Sequence, residues 1–321
     1  MIESPWLHHP LMNLRRSAVL SAIVAWTVGH APAQAESVPV PNYSLETPTT
    51  TYVNTNIDSW QKTDQPAWYD DGNGAFGWAQ LTGIFKNTPV GAFDHLDNCD
   101  GLNAMWLFNV PQVGLFQDYN ALDYNDATPT HAFAATYETG KSYTMIIGIN
   151  GGGGGMPDGA TLELSLYYLD DSGAHVPIAA TTVINDLTNF PNHTHLTDFQ
   201  VSIPVVKVSD PWQGHHIGIQ FLSSVPLDNE DLQGGYWDLD NVRLIAVPAP
   251  PQVQCAVSGA NVRVSWISLT GYQYQVQACG DLSSWVNSGA PQTGTGGELF
   301  QLAPLAGQAQ EFFRVVVSPA P

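Results

Sequence analysis

The sequence predicts an all-β protein made of an antiparallel β-sandwich followed by a second, smaller one, and three observations support this. Short apolar runs are cut by Gly, Pro, Asn and Asp, and no stretch keeps a helical period. Only 12% of the residues are charged, against 29 glycines and 23 prolines, a composition that disfavours helices. Thr161 to Leu169 alternate, with Leu162, Leu164 and Leu166 on one face. One buried and one wet face are typical of antiparallel sheets.

The N-terminus has the order of segments of an export signal. Arg15 and Arg16 precede the apolar run from Ala18 to Val28, and Ala33-Gln34-Ala35 follows as a small-x-small site. We therefore expect residues 1–35 to be a signal peptide and the mature protein to be secreted, whether released, periplasmic or at the cell surface. The apolar run is too short to span ~30 Å of hydrocarbon, and we expect no membrane span in the mature chain.

The charge balance excludes one class of partner. The net charge is -20 with only 9 Lys and Arg, so the chain offers no basic surface for nucleic-acid phosphates. Such an acidic surface attracts divalent cations instead. The 44% of hydrophobic residues and the ten tryptophans are enough for a sizeable core.

The strands follow in two groups. The clearest in the larger region, residues 36–247, are Tyr143 to Ile149, Thr161 to Leu169, Phe199 to Val206, His216 to Leu222 and Tyr236 to Ile245. Residues 248–251 are a proline-rich linker, because proline lacks the amide donor that a sheet needs. Residues 252–321 form the smaller domain, with strands expected at Gln252 to Val257, Asn261 to Trp266, Tyr272 to Ala278 and Phe312 to Val317.

The last strand of the larger region predicts a β-bulge. Trp237 and Leu239 are followed by Val242 and Leu244, so the apolar face shifts by one residue at Asp240-Asn241. A bulge can turn the Asp240 carboxylate toward the sheet, where it needs a cation or several donors. We therefore predict that Asp240 is half of a calcium site, with its partner near the start of the mature chain.

Residues 38 to 247 resemble galactose-binding-like jelly-roll domains, which include many carbohydrate-binding modules. The resemblance lies in Asn42-Tyr43-Ser44-Leu45-Glu46, in Asp58-Ser59-Trp60, in Gly114-Leu115-Phe116-Gln117 and in Trp237 to Val242. It implies that the first and last strands are neighbours and that Glu46 and Asp240 bind a structural calcium ion. Asp238 faces the same side of the strand as Asp240 and is a second candidate ligand. The alternative is that each acid is solvated or pairs with Arg243.

Residues 252 to 317 are similar to the short fibronectin-III-like or Ig-like repeats of secreted bacterial proteins. The motifs are Val264-Ser265-Trp266, Gly271 to Gln275, Leu282 to Trp285 and Phe312 to Val315. The resemblance implies a module that could dock to a protein partner. Cys255 and Cys279 lie in this region and could pair, which would leave Cys99 unpaired.

A glycine-rich loop concentrates aromatic and acidic residues. We predict that its rings stack on a sugar and that its acids and amide bind hydroxyls; the site residues are Trp68, Tyr69, Asp70, Asp71, Asn73 and Trp78. The alternative is that Trp78 packs in the core and Trp68 covers a sheet edge. For Trp60, Trp106, Trp212 and Trp237 we expect core packing.

Two other patterns give weaker hypotheses. His193 and His195 could chelate a transition metal together with Asp198 or His215, although such a loop is more often only solvated. The run from Gly151 to Gly155 reads as a flexible hairpin connection, since no Gly-Lys-Ser/Thr follows it.

No catalytic group can be named from the sequence, because it has no Gly-x-Ser-x-Gly elbow and nothing selects one carboxylate pair. The prediction is a secreted, calcium-stabilised, non-catalytic protein that binds a polysaccharide or cell-surface glycan. An extracellular structural protein without glycan binding, and a polysaccharide lyase or hydrolase, remain the alternatives.

Overall fold

The computed structural model describes residues 35–72, 76–122, 128–304 and 311–320. They form two compact units, and the chain passes from one to the other between Ala249 and Pro250. The secondary structure of the described residues is β-strand apart from two short 3-10 turns, at Trp78–Gln80 and Glu230–Leu232. All named strand pairs are antiparallel, which confirms the predicted fold class.

The described residues of the larger unit form twelve strands. The predicted strands at Tyr143 to Ile149, Thr161 to Leu169 and Tyr236 to Ile245 are confirmed, whereas the ten-residue strand His175–Ile184 was not predicted. In chain order the strands are β1 (Glu36–Val38), β2 (Val53–Asn54), β3 (Gln61–Lys62), β4 (Thr82–Lys86), β5 (Asn103–Phe108), β6 (Gly114–Gln117), β7 (Lys141–Gly153), β8 (Thr161–Leu169), β9 (His175–Ile184), β10 (Thr197–Ile203), β11 (Gly218–Ser223) and β12 (Tyr236–Pro248).

These strands form two sheets. The seven-stranded sheet has the order β10-β7-β12-β5-β4-β2, with β1 paired to the second half of β12. The five-stranded sheet has the order β3-β6-β11-β8-β9. Alternation directs every second side chain into the shared core, where Met105, Leu107, Trp237 and Leu239 of the larger sheet are joined by Leu115, Leu164, Ile219 and Phe221 of the smaller one.

The predicted bulge in β12 is confirmed. The pairing of β12 with β7 shifts between Asp240 and Arg243, and Asn241 has a φ of 59°, in the left-handed region that asparagine tolerates. The extra residue lets Leu239 and Val242 both face the core. Asp240 therefore lies on the outer face of the seven-stranded sheet.

The prediction of a flexible connection at the glycine run is wrong for its first half, because β7 continues through Gly153. A Cβ atom at Gly151 would lie 2.5 Å from Oδ1 of Asn185, and one at Gly153 would lie 2.5 Å from the ring of Tyr236. These glycines allow neighbouring groups to pack directly on the strand backbone.

The described residues of the smaller unit form seven strands in two sheets. The strands are β13 (Gln254–Ser258), β14 (Asn261–Ile267), β15 (Tyr272–Cys279), β16 (Val286–Asn287), β17 (Gln292–Thr293), β18 (Glu298–Pro304) and β19 (Phe312–Pro319). One sheet has the order β13-β14-β18, and in the other β15 pairs with β16, β17 and β19. The fully buried residues of its core are Val262, Val264, Trp266, Tyr272, Tyr274 and Val276.

The three cysteines are free thiols in this structure, so Cys255 and Cys279 do not form the disulfide that their positions in the sequence would allow. Cys255 lies on β13 and Cys279 on β15, in different sheets of the smaller unit. None of the helical segments in the described ranges is long and apolar enough to cross a membrane.

Candidate ligand and cation sites of the larger unit

Two carboxylates are buried on the outer face of the seven-stranded sheet. Asp238 is 6% exposed and Asp240 is fully buried. Oδ2 of Asp238 accepts a hydrogen bond from Nδ2 of Asn150 at 3.2 Å, and Oδ2 of Asp240 accepts one from the backbone N–H of Asp100 at 2.6 Å. The Oδ1 atoms of Asp238 and Asp240, and Oδ1 of Asn150, are buried without a hydrogen-bond partner among the described residues.

Burial makes ionisation of both acids unfavourable. It raises the pKa of Asp238 to about 7, against the opposing hydrogen bond from Asn150. It raises the pKa of Asp240 to about 8, and the negative charges of Asp100 and Glu46 act in the same direction. A bound cation would reverse this, because it favours the charged form of each ligand and satisfies the unpaired oxygens.

Glu46 anchors the segment that covers these acids. Its Oε1 accepts hydrogen bonds from the backbone N–H groups of Leu102 and Asn103 at 2.8 and 2.9 Å. Gly101 lies directly against it, since a Cβ atom there would be 2.4 Å from the same oxygen. Cys99 lies in this segment, where burial, followed by the charges of Asp240, Asp238 and others, raises the pKa of the thiol to about 12. The structure thus brings Glu46, Asp238 and Asp240 into one acidic region.

The alternative pairing with Arg243 is not formed, because its guanidinium group pairs with Asp198. Within the described ranges, no three histidine, cysteine, aspartate or glutamate side chains are placed to hold a metal ion. A calcium ion here would therefore need backbone carbonyls and water beside the two β12 carboxylates, which is within its usual range of oxygen ligands.

The aromatic residues of the predicted sugar loop pack edge to face. The ring centroids of Trp68 and Tyr69 are 5.7 Å apart at 77°, and those of Tyr69 and Trp78 are 5.1 Å apart at 66°. Trp78 is buried, and its Nε1 donates to the carbonyl of Thr63, whereas Trp68 is 37% exposed. Trp78 therefore belongs to the core, and Trp68 presents the most open face of the three rings.

The polar residues of that loop stabilise its turns. Oδ1 of Asp71 accepts the backbone N–H of Trp78 at 2.8 Å, and Oδ1 of Asp70 accepts that of Gly72 at 2.8 Å. Asn73 lies outside the described residues. Asp71 is exposed, and its second carboxylate oxygen is available to a ligand beside the rings.

The aromatic surface extends beyond the loop onto the outer face of the seven-stranded sheet. The Tyr69 hydroxyl donates to the carbonyl of Phe76, and the Phe76 ring lies 5.1 Å from that of Phe108. Phe108 is paired across β5 and β12 with Tyr236, at 5.9 Å between centroids. We call Trp68, Tyr69, Phe76, Phe108 and Tyr236 the aromatic strip. The sequence did not predict Phe108 and Tyr236 as site residues, because only the order of the strands in the sheet makes them neighbours.

Four other tryptophans were expected to pack in the core, and the structure places them at different depths. Trp60 and Trp237 are buried, as expected. Trp212 is half-buried and packs against the core. The expectation for Trp106 is wrong, because it pairs with Asp238 across β5 and β12 and so lies on the outer face, over Gly83.

The histidine pair does not form a metal site with the partners considered. His193 binds the carbonyl of Gly151 through Nδ1 at 2.9 Å, and Nε2 of His195 accepts from Asn98 at 2.9 Å. Asp198 pairs with Arg243, and His215 binds the carbonyl of Leu169. Each side chain thus has a structural partner of its own.

No protein-family model and no curated protein matches the sequence. Among solved structures, a cyclase from Fischerella sp. TAU is 24% identical with a TM-score of 0.46, and the match covers 67% of this chain and 99% of the cyclase. The CBM22-1 xylan-binding domain from Paenibacillus barcinonensis is 12% identical with a TM-score of 0.31, covering 60% of this chain and 87% of the domain.

The xylan-binding module CBM15 is 11% identical with a TM-score of 0.32, covering 68% of this chain and 98% of the module. At TM-scores this low, neither a ligand nor an activity of those proteins can be inferred for this chain, since even proteins that share a fold have unrelated functions.

Proposed function

We propose that this chain is a secreted, calcium-stabilised protein that binds a glycan through the aromatic strip. The observation that carries the proposal is the continuity of the strip, in which Trp68 and Phe76 are 37% and 45% exposed and the other three rings are half-buried. Half-buried rings are held in place by the core, so their free faces are available to a ligand at little cost in conformational entropy.

The charge of the protein favours a neutral glycan. With a net charge of -20, the surface repels uronic acids and sulfated sugars. A neutral chain would place the apolar faces of its rings on the strip, and its hydroxyls would reach the free carboxylate oxygen of Asp71. The strip consists of several neighbouring rings, so it offers stacking positions to more than one sugar ring.

The proposal is tested by measuring binding to a panel of neutral and acidic polysaccharides by affinity electrophoresis and calorimetry. Trp68→Ala and Phe76→Ala should each weaken binding of the best neutral ligand about tenfold, because each removes one stacking contact. Their melting temperatures should stay close to that of the wild type, because neither ring belongs to the hydrophobic core.

Phe300→Ala is the matched control, since Phe300 is 50% exposed but lies in the smaller unit. It should bind as the wild type does. If the strip variants also bind normally, or if no neutral polysaccharide binds the wild type, the proposed glycan function is wrong.

The calcium part of the proposal rests on the unpaired oxygens of Asp238 and Asp240. Leaving two carboxylates buried without a counter-charge would cost the fold several kcal/mol, and a divalent cation with oxygen ligands removes that cost. Asp238 and Asp240 would provide the side-chain ligands. Glu46 would act with them or hold the Asp100 to Asn103 segment in place through its present hydrogen bonds.

A further inference from the structure

A cavity of about 400 Å³ lies at one edge of the five-stranded sheet. The end of β6, the start of β11 and the end of β8 meet there, because these three neighbouring strands are antiparallel. The aromatic strip belongs instead to the seven-stranded sheet and its adjoining loop. The residues that line the cavity are Tyr119, Asn120, Leu169, Gln213, Gly214, His215 and His216.

The lining is rich in uncommitted hydrogen-bonding groups. Three exposed or half-buried groups have no hydrogen-bond partner among the residues that the structure describes: the Tyr119 hydroxyl and the side-chain amides of Asn120 and Gln213. Nδ1 of His216 is buried and also has no partner among those residues. Nδ1 of His215 is within 3.0 Å of the carbonyl of Leu169. A carbonyl oxygen only accepts, so this Nδ1 carries the hydrogen and Nε2 is left available to a ligand.

One wall of the cavity is held rigid by stacked rings. Tyr119 lies between His131 and His216, with ring centroids 4.0 and 3.9 Å away and interplanar angles of 17° and 4°. Nδ1 of His131 also binds the Tyr119 carbonyl at 2.7 Å. Both faces of the tyrosine are therefore occupied, and a ligand can meet only its edge and hydroxyl.

Asn120 is positioned by a buried carboxylate. Oδ1 of Asp118 accepts the backbone N–H of Asn120 at 2.8 Å, and its Oδ2 accepts the Tyr167 hydroxyl at 2.8 Å. The Tyr167 ring is fixed in turn by stacking on His175, at 4.2 Å between centroids. The amide of Asn120 thus extends from a rigid base, which lowers the entropy lost when a ligand binds.

We propose that this cavity is a second binding site, for a single neutral sugar ring or the end of a neutral sugar chain. None of the described lining residues is Asp, Glu, Lys or Arg, so none of these residues supplies a full counter-charge for an ionic ligand. Amides, a phenol and imidazoles both donate to and accept from hydroxyl groups, and Leu169 supplies an apolar contact. The volume is within the range of small-molecule sites.

The test uses the methyl glycosides of glucose, galactose, mannose and xylose with the full mature chain, by ligand-observed NMR and calorimetry. At least one should bind saturably, and Asn120→Ala and Gln213→Ala should each weaken it about tenfold. These amides are exposed and bond to no described residue, so both variants should melt as the wild type does. The methyl glycoside of glucuronic acid, which adds a charge to the same ring, should bind at least tenfold more weakly than that of glucose.

Trp68→Ala separates this site from the aromatic strip and should leave binding of the methyl glycoside unchanged. The proposal is overturned if no methyl glycoside binds the wild type, or if both amide variants bind as the wild type does. It is also overturned if Trp68→Ala, rather than the amide variants, abolishes binding, because the strip would then be the site of the single ring. Failure of polysaccharide binding to the strip would not affect this result.

Discussion

Lys62 is a half-buried base whose hydrogen bonds link the two sheets of the larger unit. It lies on β3 of the five-stranded sheet, and its Nζ donates to the carbonyls of Ala79 and Thr82, the second of which opens β4 of the other sheet. Burial lowers the pKa of Lys62 from 10.5 to about 8, because desolvation disfavours the charged ammonium. The charge therefore weakens the fold even though its hydrogen bonds join the sheets.

The pH dependence of stability should reveal this lysine. Between about pH 8 and pH 10 the unfolded chain binds more protons at this residue than the folded one, so the free energy of unfolding from this group rises with pH, by at most ~1.4 kcal/mol per unit. Urea denaturation of the wild type and of Lys62→Met, both in excess calcium, measures the difference. If the free energy of unfolding changed with pH in the same way for both proteins, the lowered pKa of Lys62 would be contradicted.

At the scale of the element, the β12 bulge decides which side chains of the strand face the core. A regular strand that buried Trp237 and Leu239 would turn Asn241 inward with them and leave Val242 outside. Asp238 and Asp240 lie on the outer face by the normal alternation of the strand, and the bulge that follows them returns Val242 and Leu244 to the core. The strand thus satisfies its apolar residues and concentrates two carboxylates against the Asp100 to Asn103 segment.

Calcium should raise the melting temperature of the wild type relative to excess chelator, since an ion at one hundred times its Kd adds about 2.7 kcal/mol. Asp240→Asn should lose this response, and in chelator it should melt above the wild type because only one of the two buried carboxylates remains. Asp198→Asn, which affects an exposed ion pair, is the control and should respond to calcium normally. A wild-type melting curve that is the same with calcium and with chelator would exclude the ion.

At the scale of the whole molecule, the chain divides into two units that each have a hydrophobic core of their own. The smaller core is built around Trp266, which is 2% exposed, and Tyr274, whose ring centroid is 5.9 Å away. A unit of this size is near the lower limit for independent folding, so its large buried rings matter more than those of the larger unit.

Residues 252–321, expressed alone, should melt in one cooperative transition with a near-ultraviolet circular dichroism signal from Trp266 and Trp285. Trp266→Ala should abolish that transition, because removing a buried tryptophan costs ~3–5 kcal/mol, a large part of the stability of so small a unit. A fragment without a cooperative transition would show that the smaller unit depends on the larger one.

Export and removal of the N-terminal segment concern the whole chain. We expect the mature protein to begin at Glu36, because the basic, apolar and small-residue segments occur in the order that signal peptidase recognises. N-terminal sequencing of protein recovered outside the cytoplasm measures this directly. Recovery of the chain with Met1 retained would count against export by this signal.

The sequence by itself determined the fold class, the strands β7, β8 and β12, and the bulge, because the two-residue period of a strand is a local property. It also placed Asp238 and Asp240 on the same face of β12. Only the tertiary structure decided that Phe108 and Tyr236 continue the surface of Trp68, since strand order is not local. For the same reason the cavity lined by Tyr119 and Gln213 had no sequence signal: the strand ends that form it are distant in the chain and meet only when the five-stranded sheet is assembled.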